Sequence, residues 1–367
     1  MNTLVDQLEL DRLTLDPPPE QDPLTELFPL ISVIEPVRNE QACIANTLQH
    51  LLDQNYPADR FEIIVADGRS TDATRAIVES IAQQDNRVRL VDNPRQLSSG
   101  GRNAAIRASR GSIIVLVDGH CTLHDRDYLR QVVRLFARTK AHCLARPQPL
   151  ELADATPLQR AIAAARRSFA GHNPHSHIYS DREGYIPAQS AAIAYRRVLF
   201  SEVGLFDENF DACEDAEFNH RLDQRGFLCW FAPELRVTYH PRATLRGLAY
   251  QLRRYGTGRV RLMLKHPDTL TPAAIAPPLF FLVLAGCGLL APLTAWAGWL
   301  GVALAGAYAG FIAAGTVQVA RRGLDRQALL RVPAVFLTIH AGYAYGVLRE
   351  LARQVVRRWT PSFLRRR

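Results

Sequence analysis

The sequence predicts an α/β fold, a sheet with crossover helices, followed by a membrane region. Three observations carry that expectation. Between Leu30 and Gly119, runs rich in Val, Ile and Leu alternate with segments of helical apolar spacing. Three of those runs end in polar residues: Arg38-Asn39-Glu40, Asp67-Gly68 and Asp118-Gly119-His120. From Thr269 to Ala320 there is no charged residue over roughly fifty positions, and a spanning helix needs about 20.

Taken in order, the leading segment up to residue 28 has neither a basic region nor an apolar core, so it does not read as a signal peptide. Its leucines and acids suit a short amphipathic helix ended by Pro17 to Pro19, and it is expected to be a flexible leader. LISVIEPV reads as a buried strand. EQACIANTLQHLLDQ has helical spacing at Ile44, Leu48 and Leu51. FEIIVADG is the second strand, and STDATRAIVESIAQQ the second helix, with Ser70 or Thr71 as its expected cap. VRLVDN, SGGRNAAIRASR and SIIVLVDG repeat the alternation. Strands joined by crossover helices run parallel, and their ligands sit beyond the carboxyl ends.

From Arg146 to Lys265 the pattern loosens into a polar loop, a strand AAIAY, a helix-turn-helix through CEDAEFNHRLDQ, strands in FLCWFAPELRVTYHPR and a basic helix. The uncharged stretch fits two spans, 275–296 and 299–319, with Trp296 and Trp299 at the far interface. VPAVFLTIHAGYAYGVL is a shorter third candidate containing His340, either a span or an interfacial helix. The expected division is therefore a leader (1–28), a catalytic domain (29–267), a membrane region of two to three helices (268–350) and a basic tail (351–367).

The formal net charge is +8, and its location decides its meaning. Arginines crowd Arg253 to Arg261, Arg321 to Arg331 and Arg353 to Arg367, flanking the apolar runs, which points to a cytoplasmic membrane surface. Nucleic acid is not expected, because there is no aromatic-basic signature and no zinc-finger spacing. Two spans return the chain to the side of its catalytic part at Arg321 to Arg331, so the positive-inside rule favours an even number of crossings. The six cysteines show neither metal-ligand spacing nor a disulfide rhythm and read as reduced thiols.

SVIEPVRNE, IIVADGRSTDAT, the asparagine of GGRNAAIRASRG, LVDGH, VGLFDE and CEDAEFNHRL stand in the order and spacing of a known family. Over about residues 30 to 265 the chain resembles family-2 glycosyltransferases of the GT-A fold, nearest to bacterial exopolysaccharide enzymes of the succinoglycan type. That resemblance implies a Rossmann-like mixed sheet followed by transmembrane helices. It also implies inverting transfer of a sugar from a nucleotide diphosphate, with a UDP-sugar as the expected donor. The implied acceptor is a polyprenyl-diphosphate-linked saccharide at the cytoplasmic face of the cell membrane.

Such a reaction needs a nucleotide holder, a neutraliser of the leaving diphosphate and a base for the acceptor hydroxyl. On the resemblance, Pro36, Arg38, Asn39 and Glu40 line the nucleoside and Asp67 receives a base N–H. Glu40 reads equally as a solvated helix-start carboxylate. Arg102 and Asn103 open a helix whose amino end suits phosphate, although Arg102 also reads as a surface arginine. Asp118 fits the first position of the family's metal-holding Asp-x-Asp, and His120 stands at the last, with a polar loop residue beside a metal held by Asp118 alone as its alternative. Carboxylate and phosphate oxygens suit Mg²⁺ or Mn²⁺, and imidazole tilts the choice towards Mn²⁺. His240 is a further expected metal or phosphate-facing residue, with a structural histidine as its alternative.

Asp215, after Glu214, matches the catalytic base. The segment QLRRY (Gln251 to Tyr255) has tyrosine where processive synthases carry tryptophan, which favours single addition. A processive synthase and an inactive scaffold of a polysaccharide assembly complex are the alternatives. A sugar-nucleotide pyrophosphorylase would need a Gly-rich basic loop near the first strand, and PVRNE is not one.

Overall fold

The computed structural model describes residues 28–150, 152–172 and 177–359. The expected leader, apart from Phe28, and the end of the basic tail (360–367) lie outside the described residues. In chain order the elements begin with β1 (Ile31–Val37), α1 (Ile44–Leu52), β2 (Phe61–Asp67), α2 (Thr74–Gln84), β3 (Val88–Asp92), α3 (Ser98–Ala108), β4 (Ile113–Leu116), β5 (Cys121–Thr122), α4 (Tyr128–Arg138) and β6 (Cys143–Ala145). They continue with α5 (Pro157–Arg166), β7 (Gly184–Ile186), β8 (Ala192–Arg196), α6 (Val198–Glu202), α7 (Glu214–Gln224), β9 (Cys229–Phe231) and β10 (Thr238–Tyr239). Last come α8 (Leu245–Lys265), α9 (Pro272–Leu290), α10 (Ala295–Ala320), α11 (Arg326–Leu329) and α12 (Val332–Trp359).

Two compact units divide the chain. The first takes Met1–Pro149, Ser180–Glu208 and Asp215–Thr238, and the second takes Leu150–Tyr179, Asn209–Glu214 and Tyr239–Arg367. In the first unit an eight-stranded sheet has the order β3-β2-β1-β4-β8-β6-β9-β7. β1, β2, β3 and β4 are mutually parallel, as the crossover helices require. β8 runs antiparallel to β4 and β6, so the sheet is mixed. β1 and β2 are buried almost throughout, which is why they read as near-continuous apolar runs rather than alternating ones. The order reverses at β1, flanked by β2 on one side and β4 on the other, and a crevice at the carboxyl ends follows from that reversal.

One local expectation is corrected. Neither Ser70 nor Thr71 caps α2, which begins only at Thr74. Asp72 closes the start instead, its Oδ1 accepting from the Thr74 N–H at 3.0 Å and the Thr74 hydroxyl at 2.6 Å. Ser70 and Thr71 are drawn away because they bond the loop after β1.

In the second unit α8 and α12 pack lengthwise. A Cβ at Gly256 would overlap the Tyr343 carbonyl, and one at Gly346 the Arg253 carbonyl, so these glycines let the two backbones close. Ala161, Ile162, Leu248, Val319, Val332, Val335 and Phe336 form a buried apolar cluster shared by α5, α8, α10 and α12. Among the described residues, α9 and α10 are the two helices long and apolar enough to cross a membrane. At 1.5 Å per residue they reach about 28 and 39 Å. Only 17% and 6% of their apolar windows are buried, so neither is packed as a core helix is. Trp296 and Trp299 both fall in the first turns of α10 and are exposed. The third candidate segment lies in α12, whose packed face and arginines set it apart from the two spans.

Candidate active site

The loops after β1 and β2 are zipped together. Asn39 has a positive φ of 56°, which asparagine tolerates better than most residues. Its N–H donates to Ser70 Oγ at 3.0 Å, and its Oδ1 accepts from the Thr71 N–H at 2.8 Å. The Glu40 N–H donates to Thr74 Oγ1 at 2.7 Å, and Gln41 exchanges bonds with Asp72 and Ala73. Asp67, 1% exposed at the end of β2, accepts from the Ser70 N–H at 3.2 Å and lies 3.5 Å from the Arg75 guanidinium. Arg38 is exposed beyond this zipper.

Across the switch point, β4 gives way to Asp118-Gly119-His120. The central residue has a steric reason to be glycine: a Cβ there would fall 2.8 Å from Val37 Cγ1. Thr47 of α1 steadies the turn, its hydroxyl lying 3.2 Å from the Gly119 carbonyl and 3.0 Å from that of Cys121. The turn therefore presses on the end of β1 and carries both side chains to the same crevice edge. His120 Nδ1 lies 3.1 Å from Glu40 Oε1. Arg102 of α3, 8% exposed, places Nη2 3.8 Å from Asp118 Oδ1 and its guanidinium 5.3 Å above the Phe206 ring. Asp118, Glu40, His120 and Arg102 are thus gathered at one edge of the first unit.

Two neighbours were not foreseen as site residues. Glu35 is wholly buried in β1, and neither carboxylate oxygen has a hydrogen-bond partner among the described residues. Its pKa is pushed well above the ordinary carboxylate range, by burial first, then by the charges of Asp118 and Glu40. The signal was present as an acid inside the apolar run ISVIEPV. Tyr195 is the other; its hydroxyl donates within bonding distance of the Ala192 carbonyl (2.7 Å) and Asn219 Oδ1 (2.8 Å). Burial above all raises its phenol pKa, and the charges of both Arg102 and Asp215 act on it.

Asn103 turns inward. Its Nδ2 donates to the Phe206 carbonyl at 2.8 Å and to Glu208 Oε1 at 3.0 Å, and its Oδ1 accepts from the Phe206 N–H at 3.0 Å. That explains the VGLFDE segment physically. Phe206 supports Arg102 and packs on Phe218 with ring centroids 4.5 Å apart, while Glu208 receives Asn103 and Arg95. Asp215 stands exposed in the first turn of α7, its Oδ1 accepting from the Ala216 N–H at 2.8 Å. Pro36 is half-buried, with its ring against α3, where a Cβ at Gly101 would come within 2.9 Å of it. His240 is exposed and belongs to the second unit.

The donor set fits a divalent cation. Asp118 offers a carboxylate oxygen and His120 an imidazole that Glu40 orients, beside a buried acid whose oxygens have no hydrogen-bond partner among the described residues. A guanidinium next to the same carboxylate suits a diphosphate that carries such an ion.

A mixed GT-A-type sheet with these groups at its switch point is the frame of a glycosyltransferase. The model of the family described as Glycosyl transferase family 2 matches residues 32–199. The succinoglycan biosynthesis protein ExoA of Rhizobium meliloti (strain 1021) is 31% identical over 288 residues, 75% of this chain and 84% of that protein. The dolichyl N-acetyl-alpha-D-glucosaminyl phosphate 3-beta-D-2,3-diacetamido-2,3-dideoxy-beta-D-glucuronosyltransferase of Methanococcus voltae is 25% identical over 62% of this chain and 72% of its own. Among solved structures, the mannosyltransferase PcManGT from Pyrobaculum calidifontis, in complex with GDP-Man and Mn²⁺, aligns over 95% of this chain and 94% of its own, with a TM-score of 0.54 at 20% identity. That last likeness is one of fold. The chain belongs to glycosyl transferase family 2.

Proposed function

We propose that this glycosyltransferase moves one sugar, with inversion, from a nucleotide diphosphate donor to a lipid-linked saccharide during cell-surface polysaccharide synthesis. The donor is a UDP-sugar, and the acceptor a saccharide on polyprenyl diphosphate at the cytoplasmic face of the cell membrane. The observation that carries the reading is the approach of Arg102 to Asp118 at the sheet's switch point, 3.8 Å apart. A carboxylate to hold a cation stands there beside a guanidinium to hold the diphosphate.

Asp118 and His120 would hold a divalent ion, Mn²⁺ before Mg²⁺, which supplies charge neutralisation to the departing diphosphate. Glu40 orients the imidazole through Nδ1. Arg102, fixed on Phe206, orients the diphosphate oxygens. The zipped loops of Pro36 to Glu40 and Asp67 to Thr71 form the floor for the nucleoside. The Asp215 carboxylate takes the proton of the acceptor hydroxyl as that oxygen bonds to the anomeric carbon. The bond from that carbon to the diphosphate oxygen breaks on the opposite side and releases the nucleoside diphosphate. Exposure of Asp215 leaves it open to an acceptor. Apolar helices α9 and α10 in the same chain keep the enzyme where a lipid-tethered acceptor is found.

The test is transfer from a panel of radiolabelled sugar nucleotides to lipid-linked acceptors, in membranes containing the protein, with and without Mn²⁺. Cation-dependent transfer from a UDP-sugar is expected. Absence of transfer from every donor, by protein that still binds nucleotide, would establish the scaffold reading instead.

A further inference from the structure

The last turns of α12 leave the protein with two faces. Glu350 is 1% exposed and accepts from Arg261 Nε at 3.0 Å, and Gln354 donates to the same carboxylate at 2.9 Å, so one side of the helix is tied down to α8. Leu351, Val355 and Val356 are 43%, 56% and 63% exposed, and Ala352 is exposed with them. Positions 351, 352, 355 and 356 share one stripe of a helix, and that stripe is turned away from Glu350. Arg349, Arg353 and Arg357 recur at four-residue spacing and make a second stripe between the apolar face and the tied side. Beyond Trp359 the sequence continues TPSFLRRR, with three more arginines.

An exposed apolar face edged by arginines is the pattern of a helix lying in a bilayer surface. Aliphatic side chains enter the acyl boundary while guanidinium groups reach back to phosphate. We infer that residues 349–357 form an interfacial helix docked on anionic phospholipid headgroups, with Leu351, Val355 and Val356 as its apolar anchor and Arg349, Arg353 and Arg357 as its headgroup contacts. The inference rests on membrane attachment through α9 and α10, which belong to the same unit and bring a bilayer to this helix. Charge complementarity selects the occupant: Arg353 lies 3.9 Å from the buried Glu350 carboxylate, and an anionic surface adds counter-charge to the stripe that a neutral surface does not.

The test uses the full chain in nanodiscs of phosphatidylcholine, or of phosphatidylcholine with about one-third phosphatidylglycerol, and follows amide hydrogen exchange over residues 349–357. Exchange on the anionic discs should be slower by at least about tenfold, as three arginines near such a surface imply, and the difference should vanish in 0.5 M salt, an ionic strength chosen for the test. The triple variant Arg349→Gln, Arg353→Gln, Arg357→Gln should abolish the lipid dependence. Val355→Asp should also abolish it with every arginine in place. Equal exchange on both lipids, protection unmoved by the triple variant, or protection that follows protein concentration, as a second copy would produce, each overturns the inference. Failure of the chain to enter nanodiscs at all would be a failure of the membrane reading, and is seen separately in co-elution.

Discussion

His120 Nδ1 and Glu40 Oε1 lie 3.1 Å apart, so the imidazole that stands where an aspartate was expected is oriented by a carboxylate from the neighbouring loop. A carboxylate on one ring nitrogen makes the other a better ligand. Mn²⁺ titration of the purified protein should therefore weaken by about 10- to 100-fold for His120→Ala and about tenfold for Glu40→Gln. Wild-type turnover should be higher with Mn²⁺ than with Mg²⁺, and His120→Asp should narrow that gap. Unchanged Mn²⁺ affinity in His120→Ala would remove the histidine from the ligand set.

Asp215 is exposed in the first turn of α7, with one carboxylate oxygen bonded to the Ala216 N–H. Asp215→Asn keeps that acceptor and removes the basic carboxylate. Turnover should fall by about 10²- to 10⁴-fold, while nucleotide-sugar affinity, read by calorimetry, stays within about twofold. Retained turnover would show that another group takes the proton.

Much of this was legible in the sequence. Four parallel strands and their crossover helices came from apolar periodicity, and Asp67, Asp118 and Glu40 from their places at strand ends. What periodicity could not show was the direction of β8, because a strand's pattern records which faces are covered and not which neighbour it pairs with. Nor could it show that Ser70 and Thr71 serve Asn39 rather than a helix cap, since the competing partner lies 31 and 32 residues away. Asn103 was expected among the nucleotide-binding residues from its motif. The structure shows its amide taken up by Phe206 and Glu208, a contact spanning more than a hundred positions.

That use of Asn103 has a thermodynamic signature. Asn103→Ala strands the Phe206 N–H and carbonyl in a site where Asn103 itself is 1% exposed. Each buried group left unpaired costs about 1–3 kcal/mol, so a melting temperature lower by several degrees is expected. Nucleotide affinity of the folded protein should stay near the wild-type value. A loss of affinity at unchanged melting temperature would return Asn103 to the ligand.

Glu35 gives the pH dependence. Burial first, then the charges of Asp118 and Glu40, raise its carboxyl well above 4.5. A group raised in the folded state binds more protons folded than unfolded between its two pKa values. Its contribution to stability is therefore complete below 4.5 and is lost as the pH rises through the folded value. Glu35→Gln keeps the shape of the protonated acid and cannot ionise. With chelator present, the melting temperature of the variant should exceed that of wild type most at about pH 8 and least at about pH 5, by a few degrees for each kcal/mol regained. A gap that does not change with pH would mean that Glu35 binds no more protons folded than unfolded, and so has an ordinary carboxyl pKa in the folded protein.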